Sequence, residues 1–232
     1  MRIRVFSNPA KLADSAAAEI AAWLQVDAEH PTVGLAGGST PRATYEALRT
    51  LGAAPWNRVH VWMTDERFVP PGDLEHNGTM ARTALLDHVG AAFHDVPYRA
   101  GDPQGCAADY EEDLRGFLPD SRSGPVPGLV ILGLGADGHT ASLFTGSEVL
   151  DLSRRGYAAT WVKHLGAWRL TATLPLLAAA RRTMFIVSGA SKASVVARVL
   201  DPSAQDPAAL VSRASRDAVW LLDQGAAGDL EL

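Results

Sequence analysis

An acid and a histidine lie two residues apart on a glycine-rich turn, and this pair is the part of the sequence best suited to proton transfer. The turn, residues 133–140, follows the apolar run Leu129–Leu132, which predicts a buried strand. Asp137 and His139 therefore lie just past the carboxyl end of a strand, where open α/β sheets bind ligands. Histidine exchanges protons near neutral pH, so His139 is a candidate general base, although an isolated histidine on a turn is more often structural.

The same turn contains three glycines with the spacing Gly-x-Gly-x-x-Gly. A dinucleotide site requires a helix directly after such a turn and then a second strand that ends in an acid about 20 residues on. The next strand-like run, residues 158–162, ends instead in Lys163 and His164. We therefore do not interpret the glycine pattern as a cofactor site.

Composition limits the class of protein. The chain has 232 residues, of which 47% are hydrophobic and 20% charged, and we expect residues 1–232 to form a single domain. A formal net charge of −5 without a basic face argues against a nucleic-acid partner. Cys106 is the only cysteine, which excludes an internal disulfide and a multi-thiolate metal site. No apolar run reaches the roughly 18 residues of a membrane span, so we expect a cytoplasmic protein without a membrane partner.

Strand-like and helix-like segments alternate along the chain. This alternation predicts an α/β protein with three α/β/α layers and a mostly parallel, Rossmann-like sheet covered by helices. A helix that begins near Pro9 presents apolar residues at helical spacing, and another runs through Tyr45 until Gly52. The other predicted helices are residues 77–89, 107–118 and 191–200, and the predicted strands are 2–6, 32–35, 59–63, 129–132, 158–162, 169–173, 183–187 and 218–222.

Four predicted strands are followed by small, polar or charged residues. In a parallel sheet the carboxyl ends of the strands share one edge, so we expect these loops to surround one crevice. Each loop alone is compatible with an ordinary strand-to-helix connection. The four loops are residues 37–40, 65–67, 137–139 and 188–192.

The first of these loops has the composition of an anion site. Gly37 and Gly38 lack a Cβ and allow close approach of backbone N–H groups, and Ser39 and Thr40 precede Pro41, which suits the first position of the following helix. The lysine of a P-loop is absent, which favours the phosphate of a small metabolite over a nucleoside triphosphate. Simple capping of the helix by Thr40 accounts for the same residues about equally well.

Three cations and an acid complete the candidate site. Lys192 is predicted in the first turn of a helix, where the dipole disfavours a cation unless an anion binds there. Arg169, at the start of a strand, can add a bidentate contact to a phosphate. Asp65 and Arg67 offer an acid and a fixed cation at the reacting end. The alternatives are a solvated surface lysine and a strand-end salt bridge between Asp65 and Arg67.

Two common kinds of hydrolytic centre do not fit the sequence. Asp137 and His139, without a second histidine nearby, do not form a familiar metal-ligand set, so we expect no metal. The serine-hydrolase pattern Gly-x-Ser-x-Gly does not occur anywhere in the chain.

The motifs, taken in order over nearly the full length, resemble the 6-phosphogluconolactonase family, which shares the NagB-like fold of the glucosamine-6-phosphate deaminases. The resemblance implies hydrolysis of 6-phospho-D-glucono-1,5-lactone to 6-phospho-D-gluconate in the oxidative pentose phosphate pathway, without a cofactor. It lies in Gly-Gly-Ser-Thr-Pro at 37–41, Thr-Asp-Glu-Arg at 64–67, His76-Asn77, the run 132–144, Arg-Leu-Thr at 169–171 and Ser-Gly-Ala-Ser-Lys at 188–192.

The resemblance also implies roles for residues of the reacting end. His139 is expected to activate water as the general base, with Asp65, Arg67 and Asp137 around it. Lactone hydrolysis needs a base for the water, donors for the oxyanion and a proton for the departing ring oxygen. His139 can carry both proton transfers in turn, and Arg67 is the candidate for stabilising the developing negative charge.

The phosphate end follows from the same resemblance. Ser39 with its two glycines, Arg169 and Lys192 are expected to hold the 6-phosphate of the substrate. The chain departs from the family pattern at residues 163–168, where prolines are common before the arginine of the Arg-Leu-Thr motif.

Two other functions stay open at this point. In the deaminases a glutamate follows the motif histidine by five residues, and Phe144 at that position cannot exchange a proton, which favours the lactonase. A sugar-phosphate sensor without catalysis would keep the phosphate loop but need not keep a base. The oligomeric state is open between a monomer and a small homo-oligomer.

Overall fold

A seven-stranded parallel sheet organises the computed structural model, which describes residues 1–26, 31–228 and 230. Its order is β1-β10-β9-β6-β2-β3-β5, and every neighbouring pair is parallel. The predicted mostly parallel α/β sheet is therefore confirmed. Its strands are β1 (Arg2–Phe6), β2 (Thr32–Leu35), β3 (His60–Met63), β5 (Ala92–His94), β6 (Leu129–Leu132), β9 (Arg182–Val187) and β10 (Ala218–Asp223).

A second, smaller sheet has three antiparallel strands in the order β4-β8-β7. The sequence predicted β7 and β8 as strands but did not predict that they form a separate antiparallel sheet with the short strand β4. The strands are β4 (Asp65–Arg67), β7 (Tyr157–Val162) and β8 (Ala167–Ala172).

Helices flank the large sheet. The face of the first helix that the apolar spacing predicts is buried, with Leu12, Ala16 and Ile20 at 0% exposure. Trp23 is only partly buried, and the guanidinium of Arg182 lies 4.9 Å from its ring centroid. The helices are α1 (Pro9–Val26), α2 (Ser39–Leu51), α3 (Asn77–Ala84), α4 (Pro103–Phe117), α5 (Leu174–Ala178), α6 (Ala193–Leu200), α7 (Pro207–Ala214) and α8 (Gln224–Ala227).

Two predicted helices have different bounds in the structure. The helix predicted over 77–89 ends at Ala84, because Leu85 leaves the helical conformation and a 3-10 turn, Leu86–His88, follows. The helix predicted over 107–118 begins earlier, at Pro103. The Asp102 carboxylate caps its first turn by accepting the N–H of Gly105 at 2.9 Å, and proline suits the first helical position.

The chain reverses its direction of travel across the sheet between β2 and β6. From β2 it proceeds through β3 to β5 at one edge, whereas from β6 it proceeds through β9 to β10 on the other side. Open α/β sheets bind ligands in the crevice at such a switch point, beyond the carboxyl ends of the strands. The loop 37–40 follows β2 and the turn 133–140 follows β6, so the fold brings both predicted loops to this crevice.

Two buried tyrosines satisfy backbone groups where the strands stop pairing. The Tyr45 hydroxyl donates to the carbonyl of Ala36 and accepts the N–H of the same residue, both at 2.9 Å. The Tyr110 hydroxyl accepts the N–H of Met63 at 2.8 Å and donates to the carbonyl of His94 at 2.9 Å. Burial raises the pKa of both phenols, so both remain neutral donors. Tyr45 thereby fixes the residue that precedes the loop 37–40.

Replacing Tyr45 by phenylalanine should destabilise the protein without emptying the core. The variant leaves the N–H and the carbonyl of Ala36 buried without partners, and each orphaned group costs about 1–3 kcal/mol. We expect the free energy of unfolding, measured by urea denaturation, to fall by about 2–4 kcal/mol. Tyr98→Phe is the matched control, because the Tyr98 hydroxyl has no hydrogen bond within the described ranges. Equal losses for the two variants would contradict the role given to the Tyr45 hydroxyl.

Candidate functional site

A cavity of about 350 Å³ lies at the carboxyl ends of the central strands. It is open to solvent, and its wall combines glycines, cations and one buried acid. All the predicted site residues except Asp137 line it. These are Gly37, Gly38, Ser39, Thr40, Asp65, Arg67, His139, Arg169 and Lys192.

Asp137 lies behind His139 rather than in the cavity wall. Its carboxylate accepts a 2.5 Å hydrogen bond from Nδ1 of His139, and the backbone N–H of His139 donates to the same oxygen at 3.2 Å. Burial opposes ionisation of Asp137, but these donors outweigh it and hold the pKa of the carboxyl below its ordinary value. A donor at Nδ1 fixes the tautomer in which Nε2 carries the lone pair, as a general base requires.

Gly135, which has no side chain, leaves the space that the imidazole of His139 occupies. The carbonyl of His139 accepts the N–H of Gly135 at 2.8 Å, which closes the turn. A Cβ on Gly135 would lie 2.0 Å from Nδ1 of His139. The ring of Phe144 packs on the imidazole from the other side, with ring centroids 4.3 Å apart. His139 is therefore held between a hydrogen-bonded carboxylate and an apolar ring.

The buried acid Asp65 is joined to the turn that carries the histidine. Asp65 is 8% exposed, and its carboxylate accepts a 2.6 Å hydrogen bond from the Ser142 hydroxyl. Arg67 does not pair with Asp65 in the described part of the chain. It donates to the carbonyl of Glu75 at 2.5 Å and lies 3.5 Å from the carboxylate of the same residue. The strand-end salt bridge considered as an alternative is therefore wrong.

Arg169 is the least satisfied cation of the cavity. It lies directly opposite Arg67 in the antiparallel pairing of β4 with β8, and like charges in that arrangement repel. Its guanidinium has no hydrogen bond or ion pair with any described residue. Burial and the charge of Arg67 lower the pKa of Arg169. A bound anion would offset both unfavourable effects.

The N-terminus of α2 faces the same cavity. The helix begins at Ser39, and its N-cap is Gly38, which adopts φ 102° and ψ 168° and has no side-chain cap. Thr40 lies inside the first turn, so the alternative interpretation of Thr40 as the helix cap is wrong. The N–H groups of Ser39 and Thr40 belong to the first turn, where a helix provides no acceptor, and they are available to an anion.

Lys192 has a second contact that the sequence did not predict. It lies in a 3-10 turn, Ala190–Lys192, just before α6, rather than inside a helix that begins at residue 191. Its ammonium donates to the carbonyl of Leu134 at 2.8 Å and lines the cavity. Lys192 thus supports the turn that carries the histidine while contributing positive charge to the cavity.

Glu66 and Asn77 are buried residues of the site that received no role from the sequence. Both oxygens of the Glu66 carboxylate accept N–H groups at the start of α3, from Asn77 and Gly78, each at 2.7 Å. Burial raises the pKa of Glu66 to about 8 against the effect of these donors. Glu66, His76 and Asp95 lie close enough together to hold a metal ion, but backbone N–H groups already occupy both oxygens of Glu66.

The fold and the site together define a class: an α/β protein whose switch point brings a histidine–carboxylate pair and an uncapped helix N-terminus to one cavity. The profile of the family described as glucosamine-6-phosphate isomerases/6-phosphogluconolactonase matches residues 7–220. The chain belongs to this family.

Individual relatives agree over most of the chain. A 6-phosphogluconolactonase of Nostoc sp. is 39% identical over 209 residues, which are 87% of this chain and 85% of the relative. A 6-phosphogluconolactonase of Synechocystis sp. is 40% identical over 86% of this chain and 84% of the relative. The solved structure of 6-phosphogluconolactonase from Trypanosoma brucei superposes with a TM-score of 0.86 at 27% identity, over 99% of this chain and 98% of that one. Among the residues described, no helix is both long and apolar enough to cross a membrane.

A methyl group at Gly37 should disturb the cavity wall. A Cβ there would lie 1.9 Å from Oδ1 of Asn77, whose side chain is buried and hydrogen-bonded. We expect Gly37→Ala to cost about 1–3 kcal/mol of stability, typical of overpacking, and to lower the melting temperature by several degrees. Gly133→Ala is the control for stability, because a Cβ at Gly133 meets nothing within 4 Å. A melting temperature of Gly37→Ala no lower than that of Gly133→Ala would refute the close contact.

Proposed function

We infer that the protein hydrolyses 6-phospho-D-glucono-1,5-lactone to 6-phospho-D-gluconate. The observation that carries this inference is the hydrogen-bonded pair His139–Asp137, with the ring of Phe144 packed on the imidazole. His139 lines the same cavity as Arg169, whose guanidinium has no partner among the described residues. Family membership and the similarity to 6-phosphogluconolactonases over most of the chain support the same activity. The protein is thus a lactone-hydrolysing enzyme of the pentose phosphate pathway.

The proposed reaction needs one proton carrier. Nε2 of His139 takes a proton from water as the water oxygen bonds to the lactone carbonyl carbon. Arg67 stabilises the negative charge that develops on the carbonyl oxygen. When the bond to the ring oxygen breaks, the imidazolium returns the proton to that oxygen, and the carboxylic acid product ionises. Asp137 orients the imidazole and stabilises its charged form between the two transfers.

The 6-phosphate is proposed to bind at the N-terminus of α2 and the neighbouring cations of the cavity wall. Its ligands are the N–H groups and hydroxyls of Ser39 and Thr40, together with the cations Arg169 and Lys192. The glycines Gly37 and Gly38 keep this part of the wall free of side chains. The guanidinium of Arg169, which has no partner among the described residues, supports this assignment, since a bound anion would supply one. Anchoring one end of the substrate lets its carbonyl carbon be held close to His139.

The alternatives are less well supported. An isomerising deaminase needs a second proton carrier beside the histidine, and Phe144 supplies none. A sensor without catalysis has no need of a carboxylate at 2.5 Å from the imidazole. We further propose a single domain over residues 1–232, a cytoplasmic location and no nucleic-acid partner, with either a monomer or a small homo-oligomer as the working form. A continuous set of buried residues drawn from both ends of the chain supports the single domain.

Removing either member of the proton-transfer pair should slow hydrolysis. Acid release from freshly prepared lactone, followed by pH-stat, should fall about 10²- to 10⁴-fold in kcat for His139→Ala, the range typical of general acid–base catalysis. Asp137→Asn should also lower kcat, because the amide can favour the wrong tautomer. His88→Ala is the matched control, as His88 is exposed and outside the cavity wall. If wild type and His139→Ala both match the uncatalysed rate, the enzyme assignment fails.

Removing the ammonium of Lys192 should weaken substrate binding. Hydrogen bonds to charged groups contribute about 1.5–3 kcal/mol, so Lys192→Met should raise KM by about 10- to 100-fold. Inorganic phosphate should inhibit the wild type competitively, and its inhibition constant should rise in the variant. Lys163→Met, which removes an exposed lysine outside this cavity, should change neither value. An unchanged KM for Lys192→Met would exclude the proposed phosphate contact.

A further inference from the structure

Asn77 lies in the cavity wall where the loop 37–40 meets the strand β4. It is 2% exposed, and its own N–H is held by the Glu66 carboxylate at 2.7 Å. Its side-chain Nδ2 donates to the backbone carbonyl of Asp65 at 3.0 Å. This donation determines which end of the amide is the nitrogen, so the oxygen Oδ1 must point away from Asp65.

The amide oxygen points to the side of Gly37. It would lie 1.9 Å from a Cβ on Gly37, so it occupies the space that the glycine leaves open. No donor of the described residues reaches Oδ1 within hydrogen-bonding distance. Oδ1 is not among the sealed, unpaired side-chain atoms of the described residues, and Asn77 lines the cavity, so this acceptor is open to a donor that enters there.

The chemistry of this oxygen selects the group that can approach it. A phosphate dianion carries only acceptors, and Oδ1 therefore repels it. A hydroxyl can donate to Oδ1, and the neighbouring N–H groups of the helix α2 then take the anion. The wall thus presents an acceptor for a hydroxyl directly beside the donors for a phosphate.

We propose that Oδ1 of Asn77 accepts a hydrogen bond from the lactone hydroxyl nearest the phosphorylated carbon, the hydroxyl on C4, and so determines specificity for hydroxylated phosphosugar lactones. The proposal rests on the proposed function for the identity of the substrate. Asn77 then has two connected roles. It recognises the hydroxyl through Oδ1, and through Nδ2 it links that contact to the backbone of Asp65 at the reacting end.

Two substrates and three proteins test the proposal. The substrates are the 6-phospho-1,5-lactone and its 4-deoxy analogue, and the proteins are wild type, Asn77→Ala and Ser142→Ala. Loss of the hydroxyl leaves Oδ1 unpaired, so the wild type should show kcat/KM about 5- to 100-fold lower for the deoxy lactone. Asn77→Ala should be slower on the parent lactone but should treat the two substrates alike, within about twofold.

Ser142→Ala is the matched control. Both variants remove one hydrogen bond to Asp65. Ser142→Ala removes the bond to its carboxylate, whereas Asn77→Ala removes the bond to its backbone carbonyl, and only Ser142→Ala leaves Oδ1 of Asn77 in place. It should keep the wild-type preference for the parent lactone whatever its absolute rate. A merely structural role of Asn77 predicts instead that Asn77→Ala slows both substrates by the same factor, and that result would overturn the proposal. Equal rates of the wild type on both lactones would overturn the proposal as well. This comparison uses the wild type alone, so it does not depend on whether a variant folds.

A binding measurement separates this proposal from the proposed function. 1,5-Anhydroglucitol 6-phosphate has the ring, the hydroxyls and the phosphate but no carbonyl, so it can bind without reacting. Calorimetry with this compound and its 4-deoxy form should show the same preference in the wild type and its loss in Asn77→Ala. That result would support the Asn77 contact even if the lactone were not hydrolysed. Equal affinities for the two compounds in the wild type would reject the contact even if the lactone were hydrolysed.

Discussion

The divergence of the chain at β2 and β6 is the constraint on which the whole site depends. These neighbouring parallel strands send their following segments toward opposite edges of the sheet, and a crevice remains between the two loops. The loop after β2 brings a helix N-terminus to this crevice, and the turn after β6 brings His139. Because both loops begin on paired strands of a buried sheet, their separation is fixed by backbone hydrogen bonds rather than by flexible side chains. The residues proposed to anchor the substrate and to transfer the proton are therefore held at a constant distance.

The positive charge of the cavity has a structural cost that a ligand offsets. Arg67 and Arg169 lie directly opposite each other on the paired strands β4 and β8, although the whole chain carries a formal charge of −5. Arg67 is partly neutralised by Glu75, and Lys192 is occupied by a backbone carbonyl, so Arg169 is left without a partner among the residues described. Such an arrangement favours binding, because the folded protein already bears the cost of bringing the cations together. An overall negative charge is no obstacle to an anionic substrate when the attraction is this local.

Local patterns of the sequence predicted much of this site, and the contacts that it did not predict are long-range. The glycine turn with Asp137 and His139 is built from residues that are neighbours in the chain, so its composition reveals it. The role of Asn77 depends on Gly37, forty positions away, and no periodicity or motif indicates that the two meet. The antiparallel pairing of β4 with β8 joins residues still farther apart, since Arg67 pairs with Arg169. By contrast, the start of α4 depends on neighbouring residues. Asp102 followed by Pro103 is a local pattern typical of a helix N-terminus, so it indicates the boundary that the structure shows.

The family holds both lactonases and deaminases, and the surroundings of His139 explain how one fold accommodates the two reactions. Hydrolysis takes a proton from water and later returns a proton to the ring oxygen, so one imidazole is sufficient. An isomerisation moves protons between separate atoms of the sugar, which requires a second group beside the first. Phe144 lies beside the imidazole, with its ring centroid 4.3 Å away, while Asp137 accepts a hydrogen bond at the Nδ1 edge. In the proposed mechanism His139 is the single proton carrier, and the apolar ring beside it offers no second one, which hydrolysis does not need.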